Sequence, residues 1–169
     1  RSKIRRQFLS DLLHGTLLAR QLSIQSVNQE YGYHLQPAVF QIAAFQVDCL
    51  DFPEAAEELI LNSTKRIQAQ LKELCLDFEY IFHKKLLLLF LNYPASQTNP
   101  VYRAIRRYLD VLKDHLSIYG DIHVTLGVGL AVSSLLDLSY SLQTSRQALD
   151  CRFLLGTGRG FDAAKLDLS

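Results

Sequence analysis

The spacing of apolar residues changes several times along the chain, and each change marks a predicted element. Residues 2–14 carry apolar side chains three and four positions apart, which predicts an amphipathic helix that Gly15 can end. Residues 16–29 show a weaker helical pattern. The apolar stripe of the first helix consists of Ile4, Phe8, Leu12 and Leu13.

Residues 35–47 are apolar at almost every position, as expected for a strand covered on both faces. A helix over residues 51–74 follows, with Asp51 as its expected capping residue. Two further apolar runs are separated by only three polar residues, so we expect a hairpin. The remaining segments are the hairpin strands at 78–82 and 86–91, a helix at 100–116, a strand at 123–130, a mostly helical stretch at 134–153 and a glycine-rich loop at 156–160.

This order of elements predicts an α/β (α+β) fold. A hairpin inside an alternating series of strands and helices implies a mixed sheet, antiparallel and parallel, flanked by helices. We expect residues 1–32 to form an N-terminal helical arm and residues 33–169 to form the domain itself. Because the chain starts at Arg1 rather than Met, we expect it to be a piece of a longer protein.

Composition narrows the functional classes. The chain has 169 residues, of which 49% are hydrophobic, enough for one domain with a substantial core. Eighteen basic and seventeen acidic side chains nearly cancel, so no basic field favours direct contact with nucleic acid. The apolar run at residues 86–91 is too short to span a bilayer, and we expect no membrane contact. The three cysteines are far apart in sequence, which favours free thiols in a reducing cytoplasm.

The first strand lacks acidic residues where a metal-dependent nucleotidyl-transfer enzyme needs them. Two hard cations that bridge phosphates require anionic oxygen ligands. The strand instead offers Gln41, Ala43 and Ala44, whereas Asp48 and Asp51 lie further on. The histidines also lack the spacing of a metal site, and no Ser-His-Asp arrangement can be proposed from spacing alone. We therefore predict no catalytic residue, no metal and no cofactor.

Several stretches, taken in order, carry a family resemblance. They are residues 5–15, residues 39–45, the hairpin at 78–91, and a final block of Val124-Thr125-Leu126-Gly127-Val128-Gly129, Leu138-Ser139-Tyr140-Ser141 and Arg152-Phe153-Leu154-Leu155-Gly156. Together they resemble the GGDEF-like domains of AraC-type two-component response regulators. The resemblance implies the palm-like fold of a nucleotide cyclase.

The resemblance also indicates what the missing acidic residues would do in an active enzyme. Active diguanylate cyclases carry metal-binding Asp residues where Gln41 and Ala43 appear here. They carry a Gly-Gly-Asp/Glu-Glu-Phe turn where this chain has His83, Lys84 and Lys85. The resemblance thus implies a degenerate cyclase domain whose vestigial cleft would involve Gln41, Ala43, His83 and Lys84.

The expected function is a non-catalytic regulatory and dimerisation domain of a cytoplasmic transcription factor. It would lie between a receiver domain and a helix-turn-helix DNA-binding domain of the same chain, coupling an upstream signal to DNA binding. The stripe of Ile4, Phe8, Leu12 and Leu13 needs a partner, either the domain body or the same helix of a second chain in a homodimer. Two alternatives remain open: a sensor that binds a small molecule or nucleotide in the vestigial cleft, and an active diguanylate cyclase.

Overall fold

A five-stranded sheet with helices on both faces organises residues 2–166, the part of the chain that this computed structural model describes. The strands are β1 (Val39–Asp48), β2 (Asp77–His83), β3 (Leu86–Tyr93), β4 (His123–Val128) and β5 (Gly160–Asp162). The helices are α1 (Ser2–His14), α2 (Ile24–Tyr31), α3 (Glu54–Leu74), α4 (Thr98–Leu116), α5 (Leu138–Asp150) and α6 (Arg152–Leu155).

The strand order is β2-β3-β1-β4-β5, so the longest strand lies at the centre. Neighbouring strands are antiparallel except for β4 and β5, which are parallel. The mixed sheet flanked by helices that the sequence predicts is therefore confirmed.

The two faces of β1 belong to two apolar layers. Ala43, Phe45 and Val47 pack in the layer formed with α3 and α4. Ile42 and Ala44 pack in the opposite layer, formed with α1, α2 and α5. Because both faces are covered, every residue of β3 is also buried, which explains the continuous apolar runs in the sequence.

Two expectations about helix starts are wrong in detail. The helical pattern of residues 16–29 is divided into a 3₁₀ turn at Ala19–Gln21 and the helix α2. Helix α2 begins after Ser23, whose hydroxyl accepts a hydrogen bond from the backbone N–H of Ser26. Asp51 does not cap α3, because Pro53 occupies the capping position and the helix begins at Glu54.

Helix α5 lies very close to β4, and two glycines allow this approach. A methyl group at Gly127 would collide with the carbonyl oxygen of Ser145, and one at Gly129 would collide with that of Ser141. The hydroxyl of Ser145 donates to the carbonyl of Gly127 at 2.8 Å. These contacts fix the helix along the sheet and carry its C-terminal end to the end of β1.

Strand β5 was not predicted, since its three residues follow a glycine-rich loop. The loop returns the chain to the sheet, and the N–H of Leu126 donates to the carbonyl of Arg159 at 2.9 Å. Within the described residues, no helix combines the length and the apolar character needed to cross a membrane.

Candidate functional site at the end of strand β1

The sheet register separates the residues of the predicted vestigial cleft. Gln41 pairs with Leu91, whereas His83 pairs with Leu86, which in turn pairs with Gln46. The rows of Gln41 and His83 are five residues apart, about 17 Å along the strand. The structure therefore keeps His83 and Lys84 together at the hairpin turn but does not bring Gln41 to them.

Gln41 is held by other parts of the protein. Its side-chain N–H donates to the carbonyl of Gly129 at 2.8 Å, and its oxygen accepts a hydrogen bond from the Tyr93 hydroxyl. Burial raises the pKa of Tyr93, which keeps this hydroxyl protonated as a donor. Ala43 is completely buried in the layer with α3 and α4. Both residues serve packing and strand connection rather than a cleft.

The hairpin turn lies beside the end of β1. Lys84 and Lys85 are its two central residues, and both have positive φ angles, 47° and 67°. The carbonyl of Lys85 accepts a hydrogen bond from the N–H of Val47 at 2.8 Å. The ammonium group of Lys85 donates to the carbonyl of Cys49 at 3.0 Å. The turn is thus tied to β1 by two contacts, while Lys84 remains exposed.

A row of polar side chains crosses the sheet next to this turn. Gln46 pairs with Leu86 on one side and with Thr125 on the other. Alternation along the strands places Gln46, His83 and Thr125 on the face that α1 and α5 cover. The hydroxyl of Thr125 is fully buried and has no hydrogen-bond partner among the described residues.

Asp48 is the last residue of β1 and the only acidic residue in that strand. Its carboxylate accepts a hydrogen bond from Nε of Arg152 at 2.8 Å. The Arg152 side chain is only 12% exposed, because it also donates to the carbonyl of Leu149 and stacks on the ring of Phe153. A nearly buried guanidinium therefore neutralises the carboxylate at the end of the strand.

The sequence interpretation missed this pair for two reasons. The strand expected from the sequence ends at Val47, one residue before the observed end at Asp48, so Asp48 falls outside it. Arg152 lies more than a hundred residues away in sequence, and no local pattern connects the two side chains. The signal that was available is the strict alternation of Gln46 and Asp48 with buried Phe45 and Val47.

The domain body covers most of the apolar stripe of α1. Phe8 is completely buried, and its ring centre lies 5.5 Å from those of Tyr33 and Phe90. Leu12 is 4% exposed and Leu13 is partly buried in the same layer. Ile4 differs, since 54% of its surface is exposed. Of the two partners considered for this stripe, the body takes Phe8 and Leu12, and Ile4 remains on the surface.

Arg5 connects α1 to the beginning of β2. Its guanidinium lies 2.7 Å from the carboxylate of Asp77 and 2.9 Å from that of Glu79, and all three side chains are less than 15% exposed. It also donates to the carbonyls of Gly32 and Phe78. Desolvation is the largest single influence and lowers the pKa of Arg5, but the hydrogen bonds and charges of the two acids together outweigh it and raise the pKa above its ordinary value.

A polar depression of about 400 Å³ lies beside this network, with Arg5, His34, Lys72 and Asp77 among its lining residues. Its central charges are already satisfied by one another, which argues for a structural contact rather than a binding site. Within residues 2–166, no group of three or more His, Cys, Asp and Glu side chains is arranged to hold a metal ion.

Comparison with known proteins does not assign this domain. No protein-family model matches the chain, and no curated protein matches it significantly. What can be said of function therefore rests on the residues themselves.

Proposed function

We propose that this domain is a non-catalytic regulatory module with a degenerate GGDEF-like fold, as in AraC-type response regulators. It would transmit a signal from an upstream receiver domain to a downstream helix-turn-helix domain. The proposal implies a cytoplasmic protein. Its support comes from the sheet order, from the hairpin turn and from the charges at the end of β1.

The arrangement of strands agrees with the resemblance in the position of the hairpin beside β1, although the turn lies next to the end of that strand and not next to Gln41. The hairpin β2–β3 lies beside β1, and its turn lies next to the end of β1. In diguanylate cyclases a glycine-rich, acidic turn at the hairpin works with acids of the first strand. Here the turn consists of two lysines, which repel the metal ions that such a site would need.

The ion pair of Asp48 and Arg152 is the observation that carries the proposal. A metal-dependent cyclase needs negative charge at the end of its first strand. The one acid of β1 is instead paired with a nearly buried arginine. Moving Asp48 to a metal would break its hydrogen bond to this guanidinium, which would then keep only the exposed carboxylate of Asp150, 3.7 Å away, as a charged partner. Separating a nearly buried guanidinium from its best-placed carboxylate is costly.

Incubation of the domain with GTP and Mg²⁺ or Mn²⁺ tests the loss of catalysis. We expect no cyclic dinucleotide above the buffer control when products are separated by chromatography. The variant Asp48→Asn is the matched control, since it removes the only acid of β1. Turnover in the native domain that disappears in this variant would contradict the proposal.

The complete reading frame of the gene tests the regulatory context. We expect a receiver domain with a phosphorylatable aspartate before residue 1 and a helix-turn-helix domain after residue 169. A reading frame that encodes neither domain would refute this part of the proposal.

Homodimer formation belongs to the same proposal, but its contact surface is narrower than the sequence predicts. Phe8 and Leu12 are buried in the domain, so Ile4 is the apolar residue of the stripe that a second chain can reach. Sedimentation of the native domain and of Ile4→Asp is the test. We expect a dimer that the substitution weakens. A dimer of unchanged strength in Ile4→Asp excludes this contact, and a monomer in both samples excludes the dimer.

One observation favours a second candidate function, a sensor for an anionic small molecule or nucleotide. Lys84 is exposed and directly follows His83, which lies in one row across the sheet with Gln46 and Thr125. The buried hydroxyl of Thr125 has no hydrogen-bond partner among the described residues. Thermal-shift measurements with nucleotides and sugar acids test it. A ligand-dependent rise in melting temperature that is lost in Lys84→Ala would favour the sensor. The absence of any shift would exclude it for those ligands.

A further inference from the structure

Two histidines that are 69 positions apart in sequence meet at the end of the helical arm. His14 is the last residue of α1, and His83 is the last residue of β2. Their ring centres are 5.5 Å apart, with an angle of 71° between the ring planes. His14 is exposed and His83 is half-buried, so a solvent ion can reach the pair.

The tautomer of His14 suits it to metal binding. Its Nδ1 lies 2.7 Å from the carbonyl oxygen of Ser10. Because a carbonyl can only accept, Nδ1 carries the hydrogen, and in the neutral tautomer with this hydrogen bond Nε2 has the free lone pair. A backbone carbonyl that orients a histidine in this way is typical of metal-binding histidines. Among the described residues, the ring nitrogens of His83 have no hydrogen-bond partner, so either nitrogen can become a ligand.

The distance between the rings also fits one bound ion. A Zn²⁺–N bond of about 2.1 Å places each ring centre about 3.2 Å from the ion. At the tetrahedral angle, two such ring centres are about 5.2 Å apart. The observed 5.5 Å lies close to this value, so the two rings already have the separation at which one ion bridges them once a nitrogen of each ring faces it.

We propose that His14 and His83 bind a divalent late transition-metal ion, with Zn²⁺ as the representative. Such a site can exist whether or not the domain has a regulatory role. Imidazole nitrogens prefer Zn²⁺, Ni²⁺ and Cu²⁺, whereas Mg²⁺ and Ca²⁺ prefer oxygen ligands. Because the described residues supply no third ligand of this kind, water completes the coordination. Such an ion clamps the end of α1 to the strand that enters the Lys84–Lys85 turn.

Calorimetric titration of the untagged domain with Zn²⁺ at pH 7.5 tests this site. We expect one ion per chain, and we expect His14→Gln and His83→Gln each to weaken binding at least tenfold. The matched controls are His34→Gln, which is exposed like His14, and His115→Gln, which is half-buried like His83. Both controls should bind Zn²⁺ as the native domain does, and Mg²⁺ should not bind.

Two further measurements separate this site from zinc binding by a thiol and from zinc binding by the unfolded chain. Cys49→Ser should retain Zn²⁺ binding, because the nearby thiol is not part of the site. Zn²⁺ should raise the melting temperature of the native domain but not that of the two histidine variants, since binding to the folded form alone stabilises it. Binding that survives in both His14→Gln and His83→Gln, or that is lost in Cys49→Ser, would overturn the proposal.

Discussion

Lys84 and Lys85 occupy backbone conformations that lysine disfavours. Both central residues of the hairpin turn have positive φ, as in a type I′ turn, where Asn-Gly is the preferred sequence. A side chain with a Cβ costs about 1 kcal/mol or more in this region, and asparagine costs less than most. Lys85 has a compensating contact with the carbonyl of Cys49, whereas Lys84 is exposed.

The substitution Lys84→Asn should therefore stabilise the domain. We expect the free energy of unfolding to rise by about 0.5 kcal/mol, because asparagine adopts positive φ at a lower cost. Urea denaturation measures the change. Lys84→Ala is the control for loss of the ammonium group, and it should not stabilise. Equal stabilisation by both variants would assign the effect to charge instead of backbone conformation.

Thr125 is a second residue at which a substitution should stabilise the domain. Its hydroxyl is fully buried on β4 without a hydrogen bond from the described residues. Valine has nearly the same shape and no polar group, so it avoids the cost of burying the hydroxyl.

We expect Thr125→Val to raise the unfolding free energy by about 1 kcal/mol. Thr144→Val is the matched control, because the Thr144 hydroxyl is also buried but accepts from the N–H of Leu130 and donates to the carbonyl of Tyr140. That control should lower stability. Thermal and urea unfolding of both variants measure whether each substitution raises or lowers the unfolding free energy. Destabilisation by Thr125→Val would show that the hydroxyl has a hydrogen-bond partner in solution.

The position of α5 depends on two residues without side chains, one in β4 and one directly after it. Gly127 and Gly129 let the backbone of α5 contact the sheet, and Ser141 and Ser145 add hydrogen bonds to β1 and β4. Since α5 is followed directly by α6, this packing also sets the location of Arg152 above Asp48.

Gly129→Ala should move α5 or unfold the domain. We expect a loss of about 3 kcal/mol, because the new methyl group collides with backbone atoms of Ser141 and Ile42. In Gly160→Ala the three atoms nearest to the new methyl group all belong to the flexible side chain of Arg106, so this control should cost much less. Urea denaturation compares them, and equal losses would indicate that glycine's backbone freedom matters more than close packing.

Helix α1 packs against the sheet in one shared apolar layer. The arm expected at residues 1–32 contributes Phe8, Leu9 and Leu12 to the core. Its polar side is fixed by Arg5, which is paired with two nearly buried carboxylates. Detaching the arm would expose this apolar face and leave both acids without their cation.

Arg5→Ala should lower the unfolding free energy of the whole domain by about 3 kcal/mol, since breaking a buried ion pair leaves charges without compensation. Arg6→Ala is the matched control. The Arg6 side chain is 44% exposed and lies 4.0 Å from Glu79, so we expect a loss of about 1 kcal/mol or less. A single cooperative transition should persist in both variants. Separate transitions for α1 and the sheet would show that the arm folds independently.

Local patterns in the sequence are sufficient to predict most helices and strands and the class of fold. Apolar periodicity identifies α1 to its last residue, and the nearly continuous apolar runs of β1 and β3 indicate a sheet covered on both faces. Those signals are local, because side-chain direction repeats every two residues in a strand and about every 3.6 in a helix. Short elements such as β5 carry too few residues for a period to be visible.

The register and the contacts between distant segments required the folded chain. The sequence predicts that Gln41 and His83 line the same cleft. The pairing of β1, β3 and β2 instead places them five rows apart in the sheet. The pair Asp48–Arg152 forms because α5 lies along this face of the sheet. The pair His14–His83 forms because α1 lies along the same face. Hydrophobic periodicity decides which face a residue occupies. Packing between helices and strands decides which residue it meets, and no local signal encodes that choice.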